Sequence, residues 1–503
     1  MDQSYLFETI PNDKYDLLTR EELIELHKGE VDLIKQMQGH IKKLHEKILT
    51  GEQKSFLLNE QTINIKNKLF GKSSEKSPRQ KKDKDEKKPS RRRTLLPSER
   101  YPNIDIIEKD VTLDVLPSCP CCSKKMSDSG LTEDSEYLTV IPKRYHVVKQ
   151  KRHKYRCSGC QGALVTAPAI PRIKPGSSYS DEMVLDASLS KYCDLIPMDR
   201  YSKMAGRSGI EGLPANTLIQ SSHNLADFLD VIYQKIKEEV ISSKILHADE
   251  TPHRMLEGDK KSNWYLWGFS TTRASYFEAK DTRSGSIASD FLKGSSCEYL
   301  VSDVFSGYKR AVIDTNIYRK EEKKILIKNI YCNAHARRKF KESEVSFEVE
   351  SKYFLWCYKK IYALEKNKQF KDRRLWQELY FRLMDKIAMK LAKANSSKSS
   401  ITKAINYFLK NYTELTLFLK FNDIPIDNNS QERLMRAPVV GRKTWYGTHS
   451  RRGAKTNAVI FSLVESCKLN KINPREYFKE IVLAIHQGQK IFTPSEFKDQ
   501  NQQ

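Results

Sequence analysis

The sequence contains no run of about 18 apolar residues, and without one no helix spans a bilayer. Its opening stretch, MDQSYLFETIPNDKYDLLTREE, lacks the basic start and apolar middle of a secretory signal. Position 66 holds Lys66 where a phosphate loop needs glycine, so Gly71-Lys72-Ser73 is not the tail of an ATP-binding loop. No internal repeat is visible. Residues 72–93 carry no apolar side chain, only eleven basic and four acidic residues among small polar ones. Such a run forms no core and reads as a disordered linker, either a solvated spacer or one that touches phosphates. Disulfides are not expected either. Without an export signal the ten cysteines belong in a reducing cytoplasm, where close pairs point to metal.

Acids are the minority charge. The 503 residues include 88 Lys+Arg and 64 Asp+Glu, and 88 − 64 leaves +24, with a pI near 9.4. That balance draws polyanions, nucleic acid first. An anionic membrane is the weaker candidate, because no basic amphipathic helix with a large apolar face stands out. The length calls for several domains, and 39% hydrophobic with 30% charged residues suits a multidomain α+β protein.

The pattern divides the chain. Residues 1–70 read as a helical or coiled-coil region. There Val31, Ile34, Met37, Ile41, Leu44 and Ile48 alternate at spacings of three and four, a seam for a second copy or for the chain itself. The linker covers 71–100. Residues 101–172 hold β-like segments between Cys119/Cys122 and Cys157/Cys160, two C-x-x-C turns whose four sulfurs satisfy tetrahedral zinc once a hairpin brings them together. Cys121 is an alternative to Cys122. Lys149, Lys151, Arg152, His153 and Lys154 on that hairpin make the module either a DNA-facing element or a plain clip. Cys193, Cys297, Cys357 and Cys467 read as small buried residues. Residues 173–240 are helical. A helix at 198–204, a Gly206/Gly209/Gly212 turn and a helix opening near 214–216 suggest a helix-turn-helix that binds DNA. Strands and short helices alternate over 241–341, helices fill 342–420, and 421–455 and 456–503 return to turns and then helix.

Against the basic background, a few acids are placed conspicuously. KILHAD reads as a strand ending at Asp249, and CEYLVSD as a second ending near Asp303. A hairpin and a short helix separate them. Later, IPIDNNSQERLMR offers Asp427 or Asn428 as a helix cap with Glu432 one turn inside. Three carboxylates at one place repel one another unless cations neutralise them, and hard divalent ions do so with oxygen ligands. Single acids at strand ends are ordinarily only solubilising or capping residues. His247 and Glu250 flank Asp249, either tuning it or simply packing.

The blocks LHADETP, YLW, SDVFSGY, CNAHARRKF, IPIDNNSQERLMR, GRKTWYG and FSLVESCKLNKINPREYF occur in that order. With LFGKSSEK and KYCDLIPMDRYSKM nearer the start, they resemble the large transposase of the insertion-sequence sixty-six family, one of the DDE transposases. The resemblance covers nearly the whole chain. It implies an RNase H-like catalytic core over 241–341 and 421–455, with 342–420 as a helical insertion. In that core Asp249, Asp303 and Glu432 would be the catalytic triad on two Mg²⁺ or Mn²⁺ ions. Cys332 and His335 match the family's C-x-x-H block and would support the core. Arg337, Arg338, Arg433, Arg436, Arg442 and Lys443 match its basic positions and would bind phosphate. Trp445 either stacks on a base or packs. Thr444 departs from the asparagine–aromatic version more usual in its block. The implied partners are element ends and target DNA, a second copy of the chain and small accessory proteins, in a bacterial, nucleoid-associated, cytoplasmic setting. Rival readings are an RNase H-like nuclease that only cuts and a retired transposase acting as a DNA-binding regulator.

Overall fold

Apolar runs in the middle of the chain build a five-stranded sheet that sits between two helical layers. The computed structural model describes residues 96–501 except 103, 112–114, 116, 128–134, 141–142, 157–161, 163, 257–262 and 395–398, together with 32, 35–37, 39, 40, 43 and 62. Residues 72–149 cluster as one unit and the rest of the chain as another.

In the smaller unit a single helical turn, Pro97–Arg100, is tied to Glu136, whose carboxylate accepts from the Ser98 amide and hydroxyl at 2.8 Å each. A bridge joins Ser118 to Lys125 around the Cys119–Cys122 turn. The β-like segments EYLTVIP (136–142) and YHVVKQKRHKYRC (145–157) form a ladder only at the end of the second, Lys154–Arg156, among the described residues. Tyr137, Val140, Val147 and Val148 are largely exposed there, and a hairpin without a core behind it has little to hold it.

In the larger unit β1 (Lys154–Arg156) pairs antiparallel with β2 (Leu164–Thr166). Helices α1 (Asp181–Tyr192), α2 (Met198–Gly206), α3 (Ala215–Phe228) and α4 (Asp230–Ile241) follow. The α2–α3 turn uses Gly209 and Gly212 at positive φ, and α3 carries no lysine or arginine. Next come β3 (Ile245–Arg254), β4 (Asn263–Ser270), β5 (Ser275–Lys280), α5 (Gly285–Lys293), β6 (Tyr299–Ser302), α6 (Ser306–Glu321) and β7 (Lys328–Tyr331). Helices α7 (Asn333–Ser343), α8 (Glu348–Lys366), α9 (Arg373–Ala394), α10 (Ser400–Lys410) and α11 (Tyr412–Thr416) precede α12 (Asn429–Trp445), and α13 (Arg451–Leu469), α14 (Pro474–His486) and α15 (Pro494–Gln500) close the chain.

The sheet is mixed, in the order β5-β4-β3-β6-β7. β3, β4 and β5 form an antiparallel meander, and β6 and β7 run parallel to β3. Successive strand residues face opposite sides. Leu300 therefore enters one core, with Leu246, Phe269 and Phe277 and helices from both chain halves. Its neighbour Val301 enters the other, with Ile330, Phe340, Phe354, Phe381 and Phe408 of α7–α10. Met37 is buried in this second core, and His40 Nε2 lies 3.0 Å from buried Glu350. The other five seam residues fall outside the described ones. Cys297, Cys357 and Cys467 are buried and Cys193 is half-buried.

β3 extends further than its sequence suggests. Its start pairs with β6 and its remainder with β4, through Arg254↔Asn263. Asp249 therefore lies inside the strand rather than at its end. Opposite it stands Gly268. A Cβ there would fall 2.3 Å from Gln431 Nε2 and 2.9 Å from a Phe277 ring carbon. The missing side chain lets α12 lie close on the sheet. Gly268→Ala is expected to destabilise the protein by about 1–3 kcal/mol, read as a lowered urea midpoint with an unchanged m-value.

Candidate active site

Sheet register brings the first two acids together. β3 and β6 pair in parallel as far as His247↔Val301. Two residues further along each chain come Asp249 and, just past the end of β6, Asp303, whose charge acts on Asp249. Local hydrogen bonds orient both. Asp303 Oδ1 accepts the Phe305 amide at 3.0 Å, and Asp249 Oδ1 accepts the Glu250 amide at 2.9 Å.

Glu250 does not join them. Its side chain is only 2% exposed and turns to a clamp on the other side of β3. Arg283 donates Nε at 2.8 Å and Nη2 at 2.6 Å to Oε1, and the Tyr308 hydroxyl donates to Oε2 at 2.6 Å. The Phe305 ring lies 4.1 Å from the Arg283 guanidinium. This clamp joins β3 to α6 and to the segment before α5, fixing the strand that carries Asp249.

The third acid arrives with α12. Asp427 accepts the Asn429 amide at 3.1 Å, so it makes the capping bond at the helix start. Asn428 turns to the sheet instead. Its Nδ2 donates to Ala248 O at 2.8 Å, and its Oδ1 lies 2.8 Å from His247 Nδ1. Its own amide donates to Cys332 Sγ at 3.2 Å. One residue therefore ties α12 to β3 and to the start of α7. One turn on, Glu432 faces α7. His335 Nδ1 is 3.6 Å from Oε1, and Arg338 Nη2 is 3.8 Å from Oε2. Cys332, His335 and Glu432 each place a ligand atom within 4.8 Å of the others. The C-x-x-H pair thus gains a third donor from almost a hundred residues downstream.

Electrostatics marks the same spot. Burial, then the charges of Glu250, Asp303 and Glu432, push the Asp249 carboxyl up to about 8, partly offset by the Glu250 amide. Burial holds His247 below its usual range, so the ring is neutral and hydrogen-bonds to Asn428. Such crowding favours a divalent cation held by carboxylate oxygens.

Basic residues line the same two helices, α7 and α12. Arg433, Arg436 and Lys443 recur at helical spacing on the exposed side of α12, and Arg338 is exposed on α7. Arg337 and Arg442 are half-buried, and Arg442 Nη1 donates to Thr251 Oγ1 at 3.3 Å. Thr444 donates to Gly441 O at 2.8 Å, an internal helix bond. Trp445 packs edge-on to Tyr192, with Lys191 Nζ 5.1 Å from its ring. The next residue, Tyr446, is 73% exposed at φ 65°. Gly447 follows at φ 142°, where a Cβ would stand 2.1 Å from Arg254 O, and Thr448 bonds back to Arg254 O and lies 2.8 Å from His253. The turn is thus fixed while its aromatic ring points outward. Arg283, Tyr308 and the sheet role of Asn428 escape sequence reading, and of the two alternatives for Trp445 the structure shows packing.

Of the four zinc candidates, Cys119 and Cys122 lie on one turn, and Cys157 and Cys160 lie outside the described residues. Backbone amides of Cys121 and Cys122 hold the Cys119 thiol below its usual range.

A sequence model described as Transposase IS66 family matches residues 176–456. Three uncharacterized proteins of Sinorhizobium fredii are similar to the chain. Protein y4hP is 25% identical over 427 residues, covering 77% of this chain and 74% of that protein. Protein y4jD is 25% identical over 394 residues, covering 74% and 75%. Protein y4qI is 26% identical over 413 residues, covering 77% and 74%.

A raised Asp249 pKa sets a sign for stability. The neutral carboxyl's contribution is fully present below the unfolded pKa of about 4 and is lost as pH rises toward about 8. In a chelator, Asp249→Asn is expected to match the wild-type thermal midpoint near pH 4 and exceed it by a few degrees near pH 8. Scanning fluorimetry across that range checks it.

Proposed function

Because this chain belongs to the IS66 family of transposases, we propose that it moves an insertion sequence, binding the element's ends and carrying out 3′-end cleavage and strand transfer with Asp249, Asp303 and Glu432. The observation that carries the reading is the β3/β6 register that pairs the two aspartates, with Asn428 holding the Glu432 helix against β3. The strand meander followed by two parallel strands supports an RNase H-like core, with 342–420 as an insertion before the third acid.

The donor set fits the implied metal. Asp249 is crowded by like charge, and Glu432 Oε1 is buried with no hydrogen-bond partner among the described residues. Asp249, Asp303 and Glu432 would hold two Mg²⁺ or Mn²⁺ ions, which when bound supply positive charge to the attacking and leaving oxygens. The protein's own groups do the rest. The Glu250–Arg283–Tyr308 clamp keeps β3 in place, and the Phe305 amide aims Asp303. Arg338, Arg433, Arg436 and Lys443 bind backbone phosphates. Water attacks the phosphorus at the element's end and the P–O3′ bond breaks. The freed 3′-hydroxyl attacks a target phosphodiester and displaces its 3′ oxygen, with no covalent protein intermediate.

The remaining parts are assigned on the same reading. Cys119, Cys122, Cys157 and Cys160 hold a structural zinc, and the α2–α3 turn serves end binding. The partners are DNA, a second copy and small accessory proteins of the element. The setting is the bacterial nucleoid. Among the described residues no helix is long and apolar enough to cross a membrane.

Labelled element ends, Mg²⁺ and a target plasmid test this. The wild type is expected to join ends to target. Asp303→Ala and Glu432→Gln are expected to lose product by about a thousandfold or more while still shifting end DNA in a gel. Cutting without joining favours the nuclease, and binding without either product favours the regulator.

Tyr446 is the stacking residue on this reading, in place of packed Trp445. Tyr446→Ala is expected to weaken end binding by about 1–3 kcal/mol, while Tyr446→Trp retains it. Fluorescence anisotropy checks both.

A further inference from the structure

We infer that Cys332, His335 and Glu432 form a zinc-type metal site that competes with the catalytic triad for Glu432. The same carboxylate then either completes the DNA-cutting centre or is held away from it. The inhibitory half of this inference rests on the proposed function, and the metal-binding half does not.

Geometry and chemistry carry it. Cys332 caps the start of α7, and His335 sits one turn along the same helix. C-x-x-H is a spacing that brings two ligands to one ion. The third ligand comes from α12, and all three donor atoms lie within 4.8 Å of one another. Corners of a tetrahedral zinc site stand roughly 3.3–3.8 Å apart. His335 Nδ1 and Glu432 Oε1 are already 3.6 Å apart, so about 1 Å of side-chain movement closes the set. Both atoms are shielded from solvent and find no hydrogen-bond partner among the described residues.

The donor types choose the metal. Thiolate with imidazole and one carboxylate suits zinc, cobalt or iron, and a hard ion such as magnesium discriminates against it. Cys332 is prepared for this. It stands at a helix N-terminus, and its sulfur accepts the Asn428 amide at 3.2 Å. Both features only partly offset the burial that pushes the thiol up to about 12, so the charge of a bound metal is what would hold the thiolate. Metal binding transfers the Cys332 thiol proton to solvent. Arg338 near Oε2 leaves Oε1 as the coordinating oxygen. Three protein ligands leave a fourth position for water.

The mutual exclusion follows from Glu432 itself. Turned toward α7, it meets His335. Turned toward β3, it joins Asp249 and Asp303. Zinc gains from the first arrangement and magnesium from the second, so zinc lowers activity by shifting a population between them.

Cobalt(II) is the probe, because its thiolate bond adds a charge-transfer absorption that can be read without any DNA. Metal-stripped full-length protein is titrated, and each variant is subtracted from wild type so that signal from the other cysteines cancels. The expected result is a difference band lost in Cys332→Ser, with cobalt affinity lowered about tenfold or more in His335→Asn and Glu432→Gln. Circular dichroism establishes that each variant is folded. Identical cobalt spectra for wild type, Cys332→Ser and Glu432→Gln overturn the site. In magnesium-dependent cleavage, with each protein normalised to its own zinc-free rate, Cys332→Ser is expected to need about tenfold more zinc for half-inhibition. Equal zinc sensitivity overturns the competition. Absence of cleavage by zinc-free wild type strikes the proposed function instead, and the cobalt titration still decides the site.

Discussion

A single buried amide carries the architecture of the site. Asn428 is 1% exposed and spends its side chain on two bonds to β3 while its backbone bonds to Cys332. In a low-dielectric interior an unpaired amide is expensive, so α12 settles where all these partners are met. That fixes the helix start, and Glu432 follows one turn later. Gly268 makes the approach possible from below, and the Ser270–Gln431 bond holds the next turn. The acids belong to segments 129 residues apart, from 303 to 432. Packing of ordinary polar groups, rather than attraction between the acids, places the helix that carries Glu432 on the strand that carries Asp249.

The charge balance then has two scales. Over the whole chain an excess of +24 draws in a polyanion. Within a few ångströms of Asp249 the sign reverses, and the carboxyl holds its proton up to about 8. Glu250 shows how neighbouring acids separate in role. Enclosed by Arg283 and Tyr308, it serves the scaffold, while Asp249 on the other side of the strand has no cationic partner among the described residues.

Much of this was legible in the chain. Alternating runs gave the strands, the glycine-rich turn gave α2 and α3, and ordered motif blocks gave the family. What was missed shares one physical cause, namely contacts between residues distant in sequence. β3 looked shorter because its second half is stabilised by β4, which single-strand patterning cannot weigh. Arg283 and Tyr308 carry no local mark linking them to Glu250. The approach of Glu432 to Cys332 and His335 carries no local mark either, because Glu432 lies almost a hundred residues downstream. Of the strand segments expected near the cysteine pairs, only Lys154–Arg156 pairs, and the exposed Tyr137, Val140, Val147 and Val148 have no core to bury them. Trp445 and Tyr446 differ in fate only because the backbone turns left-handed between helix and loop.

The helices between β7 and α12 also set a schedule. A ribosome elongating at roughly 5–20 residues per second takes about 6–26 seconds to go from Asp303 to Glu432. Once β7 at Lys328–Tyr331 has been made, the nascent chain holds every strand of its sheet and both aspartates, yet it has no Glu432. Synthesis itself therefore withholds the Asn428 tie between α12 and β3 until α7–α11 have emerged, and a product truncated within them keeps its sheet strands but not the helix that packs on them.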